Sequence, residues 1–330
     1  MSSLEHGIIL LKPDGVKMNL ERKLYDHLKK NHLDIVAINK TKLSPQEVTK
    51  YIRTSFNVKQ YADYMCSGPI IAVMVKGDYA IDKLIHIKRE IRTALGVTCN
   101  DMKNYIHSAD LGNEHYIQTK YLFPNLDEFY CGLYADMNVL VSFDNLCSQI
   151  YNIEKKSSVS YIGLLIDADK LLSFYDKMNS IHCNKLRILY GVRFSCKIKC
   201  KSNVWKNINI IGYFINIELL LLQDFQNIID AKTYIEIIHE CKGISILDYT
   251  VYNNQIEETL TYLKTLGLDG VVVYDLRYSL QEVAKLEYIS ADILGLLLTG
   301  GSNGQTNNGS LSIDKKTFDL LIDKIKDYQY

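Results

Sequence analysis

Three short segments in the first third of the chain gather side chains that could do chemistry. They are Lys12-Pro13-Asp14-Gly15-Val16, Ser67-Gly68-Pro69, and Asn104-Tyr105-Ile106-His107-Ser108-Ala109-Asp110. The last places Asn, His and Asp at three-residue intervals. A neutral imidazole is a usable nucleophile near pH 7, and a covalent intermediate on it splits one transfer into two easier steps. A lysine is a compact point charge suited to a phosphate. His6, His27, His32, His86 and His115 read as surface residues. The eight cysteines are scattered without a C-x-x-C pair, and Cys196 and Cys200 read as buried thiols on one strand face rather than as metal ligands.

The elements that must position these residues can be read from periodicity. Gly7–Leu11 is a short buried strand, stopped by Pro and Gly. Leu20, Leu24, Tyr25 and Leu28 have helical spacing. The stretch from Leu33 to Leu43 reads as a strand. Ser44, Pro45 and Glu47 form a capping box that opens a helix running to about Thr54. Ile70–Val75 reads as a strand, Ala80–Ala94 as a helix, and Glu114–Phe123 as a helix stopped at Pro124, with a short last strand near Tyr105. That is the βαββαβ alternation of a ferredoxin-like α/β sandwich. From about Val139 onward, short apolar strands begin at Tyr161, Arg187, Ile208, Ile244, Gly270 and Leu294. Helical stretches lie between most of them, and a final helix follows at Lys315–Lys326. Strands alternating with helices predict a parallel sheet, and this many units predict a barrel.

Composition bounds the reading. With 330 residues, two domains are expected, and we place them at 1–135 and 136–330. Lys+Arg and Asp+Glu number 38 each, so no basic arm points to nucleic acid. No apolar run approaches the roughly 20 residues a membrane helix needs. The opening MSSLEHGIILLKPDG reads as a strand rather than a signal peptide. With unpaired thiols, it predicts a cytoplasmic protein. All four prolines (Pro13, Pro45, Pro69, Pro124) and six of the eight histidines lie before Asn125, which points to two units of different origin.

The three segments, in this order, resemble the nucleoside diphosphate kinase family over about residues 5 to 126. The resemblance implies a ferredoxin-like fold and phosphoryl transfer from a nucleoside triphosphate to a nucleoside diphosphate, with Mg²⁺, through a phosphohistidine at His107. It implies that Lys12 and Arg92 hold phosphates, that Asn104 meets the ribose hydroxyl, and that Tyr51 is the active-site tyrosine. It also implies a homo-oligomer. The sequence departs from the family in several places. Ala109 replaces a serine. The carboxylate that orients the histidine falls at Gln118, and Glu114, one turn earlier, is its substitute. A basic loop is shortened where Ile87 runs into Lys88. Phe56 and Tyr61 are the candidates for stacking on the base. An alternative is a nucleotide-binding or scaffolding protein with both domains degenerate.

The second half resembles, by landmark order, the polymerase and histidinol phosphatase (PHP) family. The landmarks run from Tyr190-Gly191-Val192-Arg193 to Leu298-Thr299-Gly300-Gly301-Ser302-Asn303. The resemblance implies a distorted (β/α) barrel. Such enzymes need several converging His, Asp and Glu ligands. Here the motif positions hold Asp167, Asp169, Arg193, Asp248 and Asn303, and the only histidines are His182 and His239. The expectation is a barrel whose metal ligands are largely lost.

Overall fold

The computed structural model describes residues 5–52, 54–109, 112–124, 126, 134–140, 145–156, 159–178, 181, 183–199, 205–223, 230–249, 256–275, 277–302 and 312–329. Two compact units emerge: Met1–Tyr134 with Asp314–Lys316, and Ala135–Ile313 with Thr317–Tyr330.

The first unit runs β1 (Glu5–Leu11), α1 (Pro13–Lys17), α2 (Glu21–Lys30), β2 (Asp34–Thr41), α3 (Pro45–Tyr51), α4 (Val58–Met65), β3 (Ile70–Gly77), α5 (Ala80–Ala94), β4 (Ile106–Ser108) and α6 (Gly112–Leu122). Its four strands form an antiparallel sheet in the order β2-β3-β1-β4. This is the ferredoxin-like arrangement that the alternation predicts. β1 is buried along its whole length because both faces of the sheet are covered. Ile8 and Leu10 pack among Tyr61, Met65 and Leu122, whereas Ile9 and Leu11 pack among Leu24, Leu28, Leu84 and Ile87. Each such Leu or Ile contributes roughly 1.5–3 kcal/mol by burial. β2 is an edge strand. A register shift between Ile35 and Ala37 breaks its alternation and leaves Ile35 and Ile38 exposed. The capping box at Ser44 and Glu47 is present, and its helix ends at Tyr51. α1 and α4 were not legible as helices, being only five and eight residues long.

Two of the histidines assigned to the surface are in the interior. His6 is 6% exposed and His115 fully buried. β1 and α6 both turn polar residues inward, Glu5 and His6 on the one and Glu114, His115, Gln118 and Thr119 on the other, so a polar side chain there is no sign of exposure. His27 is half-buried beside Glu90, while His32 and His86 are exposed.

The second unit runs β5 (Ala135–Leu140), α7 (Leu146–Lys156), β6 (Tyr161–Asp167), α8 (Leu171–Met178), β7 (Arg187–Lys199), β8 (Trp205–Tyr213), α9 (Ile217–Leu221), α10 (Ala231–Glu240), β9 (Ile244–Asp248), α11 (Ile256–Thr265), β10 (Gly270–Tyr274), α12 (Leu280–Glu287), β11 (Leu297–Gly300) and α13 (Lys315–Gln329). The seven strands lie in strict sequence order and curl into a nearly closed barrel. Its seam joins β5 to the residues after β11. The Ser302 N–H donates to Asp136 Oδ1 at 3.0 Å. A Cβ on Gly301 would stand 2.2 Å from that oxygen, so glycine is required there.

The sheet is not wholly parallel. β8 runs antiparallel to both β7 and β9. β7 and β8 have no described helix between them, and without a crossover helix consecutive strands pair antiparallel. At the opposite edge, Asp269 is a buried hub. It accepts from His239 Nε2 at 2.7 Å, the Ser245 N–H at 2.9 Å and the Tyr328 hydroxyl at 2.7 Å, which ties α13 to the barrel. Burial alone would raise the Asp269 pKa. Hydrogen bonds from His239, Ser245 and Tyr328 outweigh it and hold the pKa below the usual carboxylate value.

The buried histidines give the first unit an acid sensitivity. Burial lowers the imidazole pKa of His6 to about 4 and that of His115 to about 3. Below pH 6.5 the unfolded chain binds protons that these folded sites refuse. Stability is therefore full above pH 6.5 and falls as pH drops below it. We expect a loss of about 2 kcal/mol per histidine at pH 5 relative to pH 7.5. In urea denaturation, His115→Leu should remove its share of that difference. An undiminished difference in the variant would contradict this account.

Candidate functional site

The site is assembled where the chain leaves β1 and enters β4. Leu10 pairs with His107 in the β1–β4 register. Partners across antiparallel strands point to the same face, and so do residues two apart. Lys12, in extended backbone just beyond β1, therefore shares a face with Leu10 and His107. It is the face on which Tyr61, Tyr64 and Met65 pack against Leu10.

The Lys12-Pro13-Asp14-Gly15 turn is clasped to Tyr105. The Lys12 N–H donates to the Tyr105 carbonyl at 2.9 Å, and the Tyr105 N–H donates to Asp14 Oδ2 at 3.1 Å. Tyr64 donates its hydroxyl to Asp14 Oδ1 at 2.5 Å. A Cβ on Gly15 would lie 2.4 Å from the Tyr105 carbonyl oxygen, which explains the glycine. Tyr105 itself adopts φ of 65°, which turns the chain so that Asn104 points inward.

Asn104 is the junction of the site. Its Oδ1 accepts from Lys12 Nζ at 2.7 Å and from Arg92 Nη2 at 3.0 Å. Arg92 Nη2 also donates to the Ile106 carbonyl at 2.6 Å. Asn104 Nδ2 in turn donates to the Asp101 carbonyl at 2.7 Å. Two cations thus converge on one neutral oxygen. Lys12 is only 2% exposed, with its ammonium 5.1 Å from the Tyr61 ring centre and 5.7 Å from that of Tyr64. Burial, then the positive charge of Arg92, pushes its pKa down to about 7.

His107 is set by α6. Its Nε2 lies 3.0 Å from Glu114 Oε1, and Gln118 Nε2 donates to the same oxygen at 3.0 Å. Glu114 and Gln118 are one helical turn apart and so project on one side of α6. Gln118 Nε2 also stands 3.3 Å from His107 Nε2; with the Glu114 carboxylate as acceptor in the shorter contact, Nε2 is the donor, which leaves the lone pair on Nδ1. Sequence marks Gln118 only as the position where an orienting carboxylate would fall, with Glu114 as its substitute, and not as a contact in its own right. The signal for it was the i, i+4 spacing with Glu114.

The structure therefore brings together Lys12, Arg92 and Asn104, and places His107, Glu114 and Gln118 in a second group. Tyr51 ends α3, and its side chain lies outside the described residues, as does Asp110. Tyr61 is 2% exposed and stacked on Phe56 at 6.0 Å, so its own faces are taken up by packing. α5 continues without a break through Ile87 and Lys88, where the sequence lacks a loop. A cleft of 580 Å³ in the same unit is lined by Val16, Arg22, Tyr25, Lys40 and Pro69 among others, none of them a candidate site residue. Its Lys40 is paired with Glu21 at 2.9 Å.

In the second unit, Asp167 accepts from Arg193 Nε at 2.7 Å, and Asp248 accepts from Arg277 Nη2 at 2.7 Å. Asp169 is exposed, and Asn303 and His182 lie outside the described residues. With Asp167 and Asp248 bonded to arginines and Asp169 exposed, the acidic positions of the PHP-like pattern do not fit a metal cluster. Among the described residues no group of three or more His, Cys, Asp or Glu could hold a metal.

Residues 5–127 match the nucleoside diphosphate kinase family. A nucleoside diphosphate kinase of Persephonella marina is 25% identical over 138 residues, covering 38% of this chain and 97% of the relative. One from Nitratiruptor is 33% identical over 85 residues, covering 24% and 61%. One from Acanthamoeba polyphaga mimivirus is 26% identical over 115 residues, covering 32% and 84%. Among solved structures, the Aquifex aeolicus enzyme matches at 22% identity and a TM-score of 0.31, over 36% of this chain and 95% of that one. An apo form from Encephalitozoon cuniculi matches at 20% identity and a TM-score of 0.32, over 37% and 90%.

The tautomer assignment can be checked directly. Long-range ¹H–¹⁵N correlation spectra should show His107 protonated at Nε2 in the intact protein. Glu114→Ala should shift the population toward the Nδ1–H form. An unchanged tautomer in that variant would mean that Glu114 does not set it.

Proposed function

We propose that the first unit is a nucleoside diphosphate kinase-like phosphotransferase acting through His107. The observation that carries this reading is the 3.0 Å contact of His107 Nε2 with Glu114 Oε1, which favours a lone pair on Nδ1, in the same unit as two cations that converge on a neutral amide. In the first half-reaction, Nδ1 attacks the terminal phosphorus of a nucleoside triphosphate. The N–P bond forms as the P–O bond to the β-phosphate breaks, and the nucleoside diphosphate departs with the electron pair. In the second, a terminal phosphate oxygen of another nucleoside diphosphate attacks the phosphohistidine and restores Nδ1.

Lys12 and Arg92 supply positive charge where negative charge builds up on the transferring group, and such positioned charge provides most of the acceleration in phosphoryl transfer. Asn104 holds both cations in place and is the candidate for the ribose hydroxyl. Tyr51 is a candidate nucleotide contact. Mg²⁺ would enter with the triphosphate and neutralise part of its charge. A homo-oligomer is part of the same reading. The second unit, whose barrel we read as PHP-like, would serve as a scaffold.

A second reading is nucleotide binding without turnover. It is favoured by Ala109, which is fully buried and offers only its N–H, donated to Ile8, where the family has a serine. Labelling separates the two readings. Protein incubated with γ-³²P-ATP should gain one acid-labile, base-stable label, and His107→Ala should abolish it. ADP binding without any label would leave only the binding module.

The buried lysine gives a pH test. Its charged form is the one that attracts phosphate, so binding should weaken as pH rises above its pKa of about 7. Between pH 7.5 and 9 we expect ADP affinity to fall by up to about tenfold per unit. Lys12→Arg, permanently charged, should flatten that dependence in calorimetric titrations. A wild-type affinity independent of pH would rule out a titrating Lys12.

A further inference from the structure

The carboxyl edge of the barrel holds a cluster whose geometry is that of a bridged cation. Asp248 is the last residue of β9, and Asp275 follows directly on β10, its parallel neighbour. Their side chains are each only 2% exposed. Two buried carboxylates at adjacent strand ends repel each other and lose hydration, a cost of several kcal/mol unless a cation lies between them. That cation is supplied by the chain itself. A single atom, Arg277 Nη2, stands 2.7 Å from Asp248 Oδ1 and 2.6 Å from Asp275 Oδ2.

The arginine is held there by backbone as well as charge. Its N–H donates to Asp275 Oδ1 at 2.9 Å, the Tyr278 N–H donates to the Asp275 carbonyl at 3.2 Å, and the Tyr278 hydroxyl donates to the Tyr249 carbonyl. Among the described residues the nearby ionisable groups include Tyr213, Tyr249, Tyr278 and Asp136. None of them brings a further positive charge. A divalent ion bonded to carboxylate oxygens at about 2.1–2.5 Å would need only a few tenths of an ångström of contraction to occupy the Nη2 position.

We propose that the Arg277 guanidinium is the resident cation of this edge. It fills the place between Asp248 and Asp275 that a divalent metal would otherwise take. The edge is thereby metal-independent in the native protein. Removal of the guanidinium converts the two carboxylates into a divalent-cation site. The inference rests on the second unit alone and is independent of the phosphotransfer reading.

Thermal unfolding of the full chain tests it, without nucleotide so that no ion is carried in. For the native protein, neither EDTA nor millimolar Mn²⁺ or Ca²⁺ should move the transition. Arg277→Ala should lower it, and Mn²⁺ should then raise it saturably by several degrees. Adding Asp248→Asn to that variant should abolish the Mn²⁺ response. If Arg277→Ala does not fold alone, refolding from urea should succeed with Mn²⁺ and fail with EDTA. The neutral triple variant Asp248→Asn/Asp275→Asn/Arg277→Gln should fold without metal. Destabilisation of the native protein by EDTA would overturn the proposal. So would a saturable Mn²⁺ shift in the native protein, or an Arg277→Ala variant that neither Mn²⁺ nor Ca²⁺ stabilises or refolds.

Discussion

The first unit is organised around one amide oxygen. Asn104 Oδ1 receives both Lys12 and Arg92, which come from opposite faces of the sheet. Lys12 follows β1 on the face packed by α4, and Arg92 belongs to α5, whose apolar side covers the other face. The two cations can meet only where the sheet ends. That end is fixed by the Lys12–Tyr105 and Tyr105–Asp14 backbone bonds, and the turn needs Gly15 because the Tyr105 carbonyl occupies the space of a Cβ. A loss of register at β4 would separate the charges and move His107 together, since both depend on the same few residues. The KPDG turn is thus as much a packing device as a source of charge.

Much of this was legible in the sequence because the signals were local. The strand at Gly7–Leu11, the capped helix at Ser44 and the helix Ala80–Ala94 each carried their own periodicity or cap. The candidate residues Lys12, Asn104, His107 and Glu114 lay in compact segments. What escaped was set by tertiary context. His6 and His115 are interior residues that no local pattern distinguishes from surface ones. α4, which brings Tyr61 and Tyr64 to the site, is too short for a periodic signal. In the second unit the antiparallel β8 was missed because apolar strands read alike in either direction. The reversal depends on the connection and not on the strand.

The two units settle opposite electrostatic problems. In the first, the buried Lys12 and the half-buried Arg92 meet at a neutral acceptor, and Lys12 answers with a lowered pKa. Such an arrangement is unfavourable by itself and becomes favourable when an anion arrives. In the second, carboxylates at the strand ends are already matched by arginines, Arg277 with the buried Asp248 and Asp275, and Arg193 with the half-buried Asp167. A matched pair has little left to offer a charged ligand.

The His107 group shows how a departure from a familiar pattern can leave a contact in place. Moving a carboxylate from Gln118 to Glu114 shifts it by four residues, or about one turn, along the same side of α6. The acceptor therefore still reaches Nε2, and the amide left at Gln118 donates to that carboxylate and steadies it. A carboxylate at both positions would place two like charges against one imidazole, which the neutral amide avoids. What an orienting group must provide is an acceptor on one ring nitrogen, so that the lone pair is left on the other. The helix offers more than one position from which to do that. Identity at a single motif position is therefore weaker evidence about this histidine than the pair of residues that actually contacts it.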